Sequence, residues 1–205
     1  MLPLVWAAVP AVNAVLMTRV PVPATVPDHE RTSLIGLVGS PVFLLVLLLM
    51  AAGGASELTM SQWSSFFAQQ ATGVPKAVGD LLGPGLFALL MALGRTAYGL
   101  LGERVPLRGA LIASGAGAAA CYVVTASSPA PAASLVACAL TGLCVALMWP
   151  GATSLAAARF PAGGGAMFAM LALAGDVGAA AGPSAAGAIA DAAGTASAGA
   201  PGRLA

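Results

Sequence analysis

Charge is what this chain has least of. Of its 205 residues 7% are charged, eight Lys and Arg against seven Asp and Glu, for a formal net charge of +1. A soluble globular domain carries roughly 25%. With so few cations and no cluster of them, phosphate neutralisation along a nucleic acid is excluded. Histidine is almost missing: His29 sits within Asp28-His29-Glu30-Arg31, a loop where a solvated side chain is the expected state. Cysteine is scarce as well, and Cys121, Cys138 and Cys144 all lie inside apolar runs, where they read as small packing residues, not disulfides or a metal cluster. No P-loop, dinucleotide fingerprint or metalloprotease motif occurs. An intramembrane protease would need Gly-x-Gly-Asp or Gly-x-Ser-Gly, yet Asp176 follows Leu173-Ala174-Gly175, and Gly54-Ala55-Ser56 runs into Glu57. No enzymatic activity, cofactor or metal is expected.

What the chain has is apolar length. Hydrophobic residues make up 59% and the mean hydropathy is +0.94. Crossing a hydrocarbon core of about 30 Å takes about 20 residues of helix. Six stretches suffice, at 2–18, 41–65, 77–101, 107–126, 133–158 and 163–190. Their length and Leu/Ala content predict helices, because the strands of a barrel are about 10 residues long and alternate in polarity. The expected fold is an all-α polytopic bundle over residues 1–193, embedded in a lipid bilayer. The first stretch carries Pro3 and Pro10 and no basic leader, which fits a span better than a signal peptide. Residues 194–205 are Gly, Ala, Ser, Thr, Pro and Leu with one Arg, a composition expected to stay disordered. Val20 to Arg31, with three prolines, reads as a connector.

Basic residues divide unevenly between the loops: Arg19, Arg31, Arg104, Arg108 and Arg159 follow odd-numbered spans, against Lys76 and Arg203 elsewhere. This bias places the odd-numbered loops in the cytoplasm. Met1 then starts outside with nothing to export it, so the chain reads as a piece of a longer protein.

A few polar residues stand where they are costly. Glu57 comes about 24 Å along the second span and Asp176 about 20 Å along the sixth. An ionised acid at such depth needs a partner or water. Each is a candidate for a wet cavity and for carrying a proton; partial exposure at the outer mouth for Glu57, and a hydrogen bond to a neighbouring helix for Asp176, are the alternatives. Helical period puts Ser61 and Ser64 on the face of Glu57, a polar stripe, while Trp63 lies off it as an interfacial anchor. Gln62 is a candidate hydrogen-bonder for a solute, one of two amides within spans beside Asn13. Arg95 lies about 9 Å inside the third span, where it either snorkels or pairs with an acid. Asp80, near the start of that span, is expected to partner a helix N-terminus. Helix breaks are expected at Gly83-Pro84-Gly85, Trp149-Pro150-Gly151 and Gly182-Pro183. Between spans three and four a charged turn carries Glu103 and Arg104. There Gly99 and Gly102 are expected to admit close neighbours, so that Glu103 can latch one conformation against a cation or helix end.

Gly99, Leu101, Glu103 and Arg104, with Arg108 beyond, resemble the G-x-L-x-[DE]-R loop of the major facilitator superfamily of secondary transporters, with Pro106 where that loop usually has Gly. Met148-Trp149-Pro150-Gly151 with Ala156 to Pro161 resembles its tenth helix, and Gly175-Asp176-Val177-Gly178 with Pro183 and Gly187 its eleventh. Glu57 followed by Trp63 is similar to the seventh helix of the fucose-permease-like branch. The resemblance implies the carboxyl-terminal half, helices six to eleven, of a twelve-helix carrier whose amino-terminal half is missing or separate. It implies proton-coupled alternating access for a small polar solute, a sugar by the branch, in a bacterial inner membrane. Glu57, Gln62 and Asp176 would bind solute or proton, and Arg95, Gly99, Glu103 and Arg104 would gate. The alternatives are an efflux carrier for amphiphilic compounds, marked by a Met- and aromatic-lined cavity, and a non-transporting remnant or subunit.

Overall fold

The computed structural model describes residues 2–20, 32–128 and 130–198. They are helical throughout apart from short connections, with no strand among them. Two units are distinguished, Met1–Arg31 and Thr32–Ala205. The first holds α1, Leu2–Met17, which runs through Pro10. At 16 residues it measures about 24 Å, short of a bilayer core. Five helices of the second unit are long and apolar enough to cross, so the structure offers five spans where the sequence suggested six. The charged loop around His29 lies outside the described residues.

The second unit opens with α2, Leu34–Val38, capped by Ser33, whose hydroxyl accepts the Gly36 N–H at 3.1 Å. Then α3, Pro41–Thr72, starts on a proline, which suits a first turn whose N–H groups have no helical acceptor. It ends at Gly73, whose φ of +67° is the left-handed cap that glycine adopts without strain. The short α4, Lys76–Asp80, leads through a π-helical turn, Leu81–Gly85, into α5, Leu86–Leu101. Pro84 sits inside that turn, and its missing N–H explains why the regular α ladder gives way there. A 3-10 turn, Gly102–Arg104, connects to α6, Leu107–Ser127. Helices α7, Pro131–Val145, and α8, Met148–Arg159, form one span broken at Ala146-Leu147. The last helix, α9, Gly164–Ala198, passes through Pro183 without interruption.

Two sequence expectations change here. Of the three proposed breaks, the one at Pro84 interrupts the α-helix, the one expected at Trp149-Pro150-Gly151 falls earlier, at Ala146-Leu147, with Pro150 in the first turn of α8, and Pro183 makes none. Residues 194–198, expected to be disordered, continue α9; 199–205 lie outside the described residues.

Helix α3 is the centre of the unit, packing on α7, α8, α9 and the π-helical turn. One core cluster joins Phe43, Val46 and Met50 to Ala152, Met167 and Leu171, and a second joins Met60, Phe87, Val145 and Met148. The longest seam, α3 on α9, is built from missing side chains. A Cβ added at Gly54 would overlap the Gly175 carbonyl, and one at Gly178 the Ala51 carbonyl. Apolar side chains such as Leu45, Leu48, Leu93 and Leu173 point outward, as lipid-facing positions do. The chain is thus an all-α, multi-pass membrane bundle.

At one end of the unit the Thr32 N–H donates to the Ala162 carbonyl at 2.9 Å, joining the segment before α2 to the α8–α9 connection. Both connections were placed on the same side by their basic residues. At the opposite end Lys76 pairs with Asp80 at 2.7 Å, and the Ser65 hydroxyl donates to the same carboxylate. Asp80 therefore serves a local, exposed ion pair in α4 and tethers it to α3.

Candidate functional site

Proline at 150 creates the site. With no N–H at that position, the carbonyl four residues back, Ala146, loses its helical donor, and α7 stops one residue earlier. Arg95 of α5 supplies the replacement: its Nε–H donates to the Ala146 carbonyl at 3.2 Å. Gly94 makes that reach feasible, since a Cβ there would stand 2.8 Å from the Ala146 methyl and 3.0 Å from Leu143. Another guanidinium nitrogen of Arg95, Nη2, lies 3.6 Å from Glu57 Oε2 on α3. One side chain thus ties three elements together.

Glu57, Arg95, Trp149, Pro150 and Thr153 line an open cavity of about 500 Å³. The Glu57 side chain is 19% exposed and that of Arg95 44%, so the pair is neither sealed in the core nor spread on the surface. Trp149 forms a rigid wall, with Gly53 of α3 near its indole edge and Gly175 of α9 against its six-membered ring. Thr153 is turned away from solute chemistry, its hydroxyl donating to the Trp149 and Pro150 carbonyls at 3.2 and 2.9 Å. On the far side of α3, the Tyr122 hydroxyl donates to the Ser56 carbonyl at 2.8 Å and fixes the register of α6 beside the Glu57 turn.

The arrangement brings together part of what the sequence singled out. Glu57 and Arg95 meet, and Arg95 pairs with an acid as one of its two expected states. Asp176 does not join them: it is exposed on α9, between Gly175 and Gly178, which face inward. Gln62 is exposed and not among the cavity residues. Ser64 is buried, donating to the Ser61 carbonyl at 3.2 Å, with its backbone against Gly83. The polar stripe therefore serves packing against the π-helical turn instead of continuing along the cavity. Trp63, expected at the interface, is half-buried beside Gly187 of α9. At the charged turn, Gly99 has nothing within 4 Å of an added Cβ, so it admits no close neighbour within this unit. The close approach on α5 occurs at Gly94 instead. Arg104 is exposed, and the Glu103 side chain lies outside the described residues.

A second cavity, of about 480 Å³, lies among α3, α6, α7 and α9, with Met60, Trp63, Tyr122 and Cys138 in its walls. The three cysteines are free, and among the described residues no group of three or more His, Cys, Asp and Glu is placed to hold a metal. The ligation of Ala146 by Arg95 was missed in the sequence, although both halves of its signal were present: a proline orphans the carbonyl at i−4, and an arginine inside a span needs an acceptor.

In comparisons with known proteins, no family model, curated protein or solved structure matches the chain.

Proposed function

We propose that this chain is half of a secondary active transporter, moving a small polar solute by alternating access with proton coupling, and corresponding to the carboxyl-terminal half of a major facilitator carrier. One observation carries the reading: an acid and an arginine paired inside an open cavity at a proline-broken helix. Ionisable groups within spans are costly and mark ion or proton paths, and broken helices around a cavity are how secondary transporters build their sites. Glu57 is the proton carrier in this account. Arg95 is its counter-ion, and the break at Ala146-Leu147 is the flexible point that Arg95 reports on. Asp176, outside the cavity, is given no part in coupling. Gly99, Glu103 and Arg104 remain the proposed gate on the loop side, acting against the amino-terminal half of the carrier. A cell membrane is the setting.

The test is proton movement in vesicles carrying the full chain, alone and with an amino-terminal half, when a mixture of small metabolites is added outside. Solute-dependent alkalinisation outside, lost in Glu57→Gln and kept in Asp176→Asn, is the expected result. Identical, gradient-insensitive traces in all of them overturn the reading.

The second cavity favours another reading, an efflux carrier for amphiphilic compounds. Its Met60, Trp63 and Tyr122 walls are the mark set out for that alternative. Export of a lipophilic dye that is blocked by Trp63→Ala and indifferent to Glu57→Gln would select it.

A further inference from the structure

The geometry points to a carboxylate as the group that the Glu57–Arg95 cavity accepts: a small monocarboxylate with an apolar body, bound at Arg95 in place of Glu57. The inference rests on the carrier reading and narrows its solute class. Three observations converge on it. The Glu57–Arg95 contact is long, 3.6 Å through Nη2, where an optimal charged N–H to oxygen bond measures about 2.7–2.9 Å. Nature's tightest guanidinium pairs are two-pronged, and Arg95 has five N–H donors, one of them spent on Ala146. That bond occupies Nε, and with it the side-on edge of the guanidinium, and leaves the Nη1/Nη2 edge for a two-pronged contact. The remaining wall is apolar and flat, Trp149 and Pro150.

A sugar fits this lining poorly. Specificity for a polyol needs several fixed donors and acceptors, and here Thr153 is internally bonded while Gln62 is elsewhere. A doubly charged phosphate also fits poorly, because one cation faces the cavity. A monocarboxylate balances the charges: the solute anion replaces the Glu57 anion at Arg95, Glu57 takes one proton, and the loaded site carries the same net charge as the empty one. Keeping that balance avoids the several kcal/mol that an unpaired charge costs in a span. The proton is assigned to Glu57 by position. The other charged residues described on elements packed against α3 are Lys76 and Asp80, paired with each other at its far end, Asp176 and Asp191 on α9, Arg159 on α8 and Arg108 on α6. None of these lines the cavity.

Equilibrium binding of radiolabelled benzoate to the purified full chain, with empty micelles as blank, tests the class. Benzamide has the same shape without the charge, and glucose represents the polyols. Benzoate is expected to bind about tenfold or more tightly than benzamide, since a charged bond to Arg95 is at stake, and to draw about one proton from a weakly buffered solution. Glu57→Gln should tighten benzoate at neutral pH by removing the competitor, and abolish the proton uptake. Arg95→Gln should lose binding; Arg95→Lys, which keeps the charge without the fork, should retain part of it. Equal binding of benzoate and benzamide overturns the proposal, as does absence of benzoate binding to folded wild-type chain. Glucose binding that depends on Glu57 overturns the solute class and leaves the carrier reading standing. Benzoate binding without coupled movement in vesicles does the reverse.

Discussion

One turn of α3 carries both a close backbone contact and the edge of an open polar cavity. Gly54 presses on α9, where an added methyl would overlap the Gly175 carbonyl. Three residues on, Glu57 faces a cavity shared with Arg95. Between helices in lipid there is little hydrophobic gain from association, because acyl chains are as apolar as leucine; close backbone packing holds helices together instead. Charge in the same medium demands a partner or water. The seam and the cavity answer these two demands on adjacent turns of one helix.

The largest way to break the comparison is to fill the seam. Gly178→Val places branched carbon where the Ala51 carbonyl already stands, and overpacking of this kind costs about 3 kcal/mol or more when backbone is the obstacle. Unfolding in mixed micelles should show a loss of that size, and an unchanged midpoint would mean that the helices separate freely. The same valine at Gly115 of α6, which has open space around it, should be tolerated far better.

Breaking the cavity side should cost less. Arg95→Met leaves the Ala146 carbonyl without its donor and Glu57 without its cation. An orphaned buried acceptor costs about 1–3 kcal/mol, and the half-exposed setting of Arg95 discounts the ion pair, so about 1–2 kcal/mol is expected. Pro150→Ala restores an N–H for Ala146. In that background the cost of Arg95→Met should shrink by about 0.5–1 kcal/mol, a coupling that a double-mutant cycle reads. Strict additivity would show that Arg95 does not serve the proline break.

Smaller still is Tyr122→Phe, which removes the hydrogen bond to the Ser56 carbonyl. That carbonyl keeps its helical donor, so about 1 kcal/mol is the expected loss, measured by the same unfolding assay.

These residues also show how far the sequence could be read. Apolar runs long enough for a bilayer gave the helical class and five of the proposed spans directly, because length and hydropathy are properties of a segment alone. Glu57 and Arg95 stood out separately for the same reason: each is a charge in an expensive place. Their meeting was not legible, since it depends on the rotation of α3 and α5 about their axes, and wholly apolar helices carry no periodicity to set it. Asp176 shows the same limit: Gly175 and Gly178 claim the inward face of α9, and the acid between them is exposed. The helix through Pro183 was equally hidden, as a proline tells that a bond is lost but not whether neighbours hold the helix straight.

Gly99 sharpens the comparison from the opposite side. Its neighbour on α5, Gly94, lies under Ala146 and Leu143, whereas Gly99 faces open space. Within this chain alone Gly99→Ala should therefore be harmless, or stabilising by up to about 1 kcal/mol, because alanine is the better helix former. Gly94→Ala should instead destabilise, since its methyl would stand 2.8 Å from that of Ala146. If Gly99 is the packing position that its place in the charged turn suggests, its partner belongs to the other transporter half. Stability of the isolated chain and uptake by the co-expressed halves should then respond in opposite directions to Gly99→Ala, the first unchanged or raised and the second reduced. Unchanged uptake would remove Gly99 from the proposed gate and leave Glu103 and Arg104 as its remaining candidates.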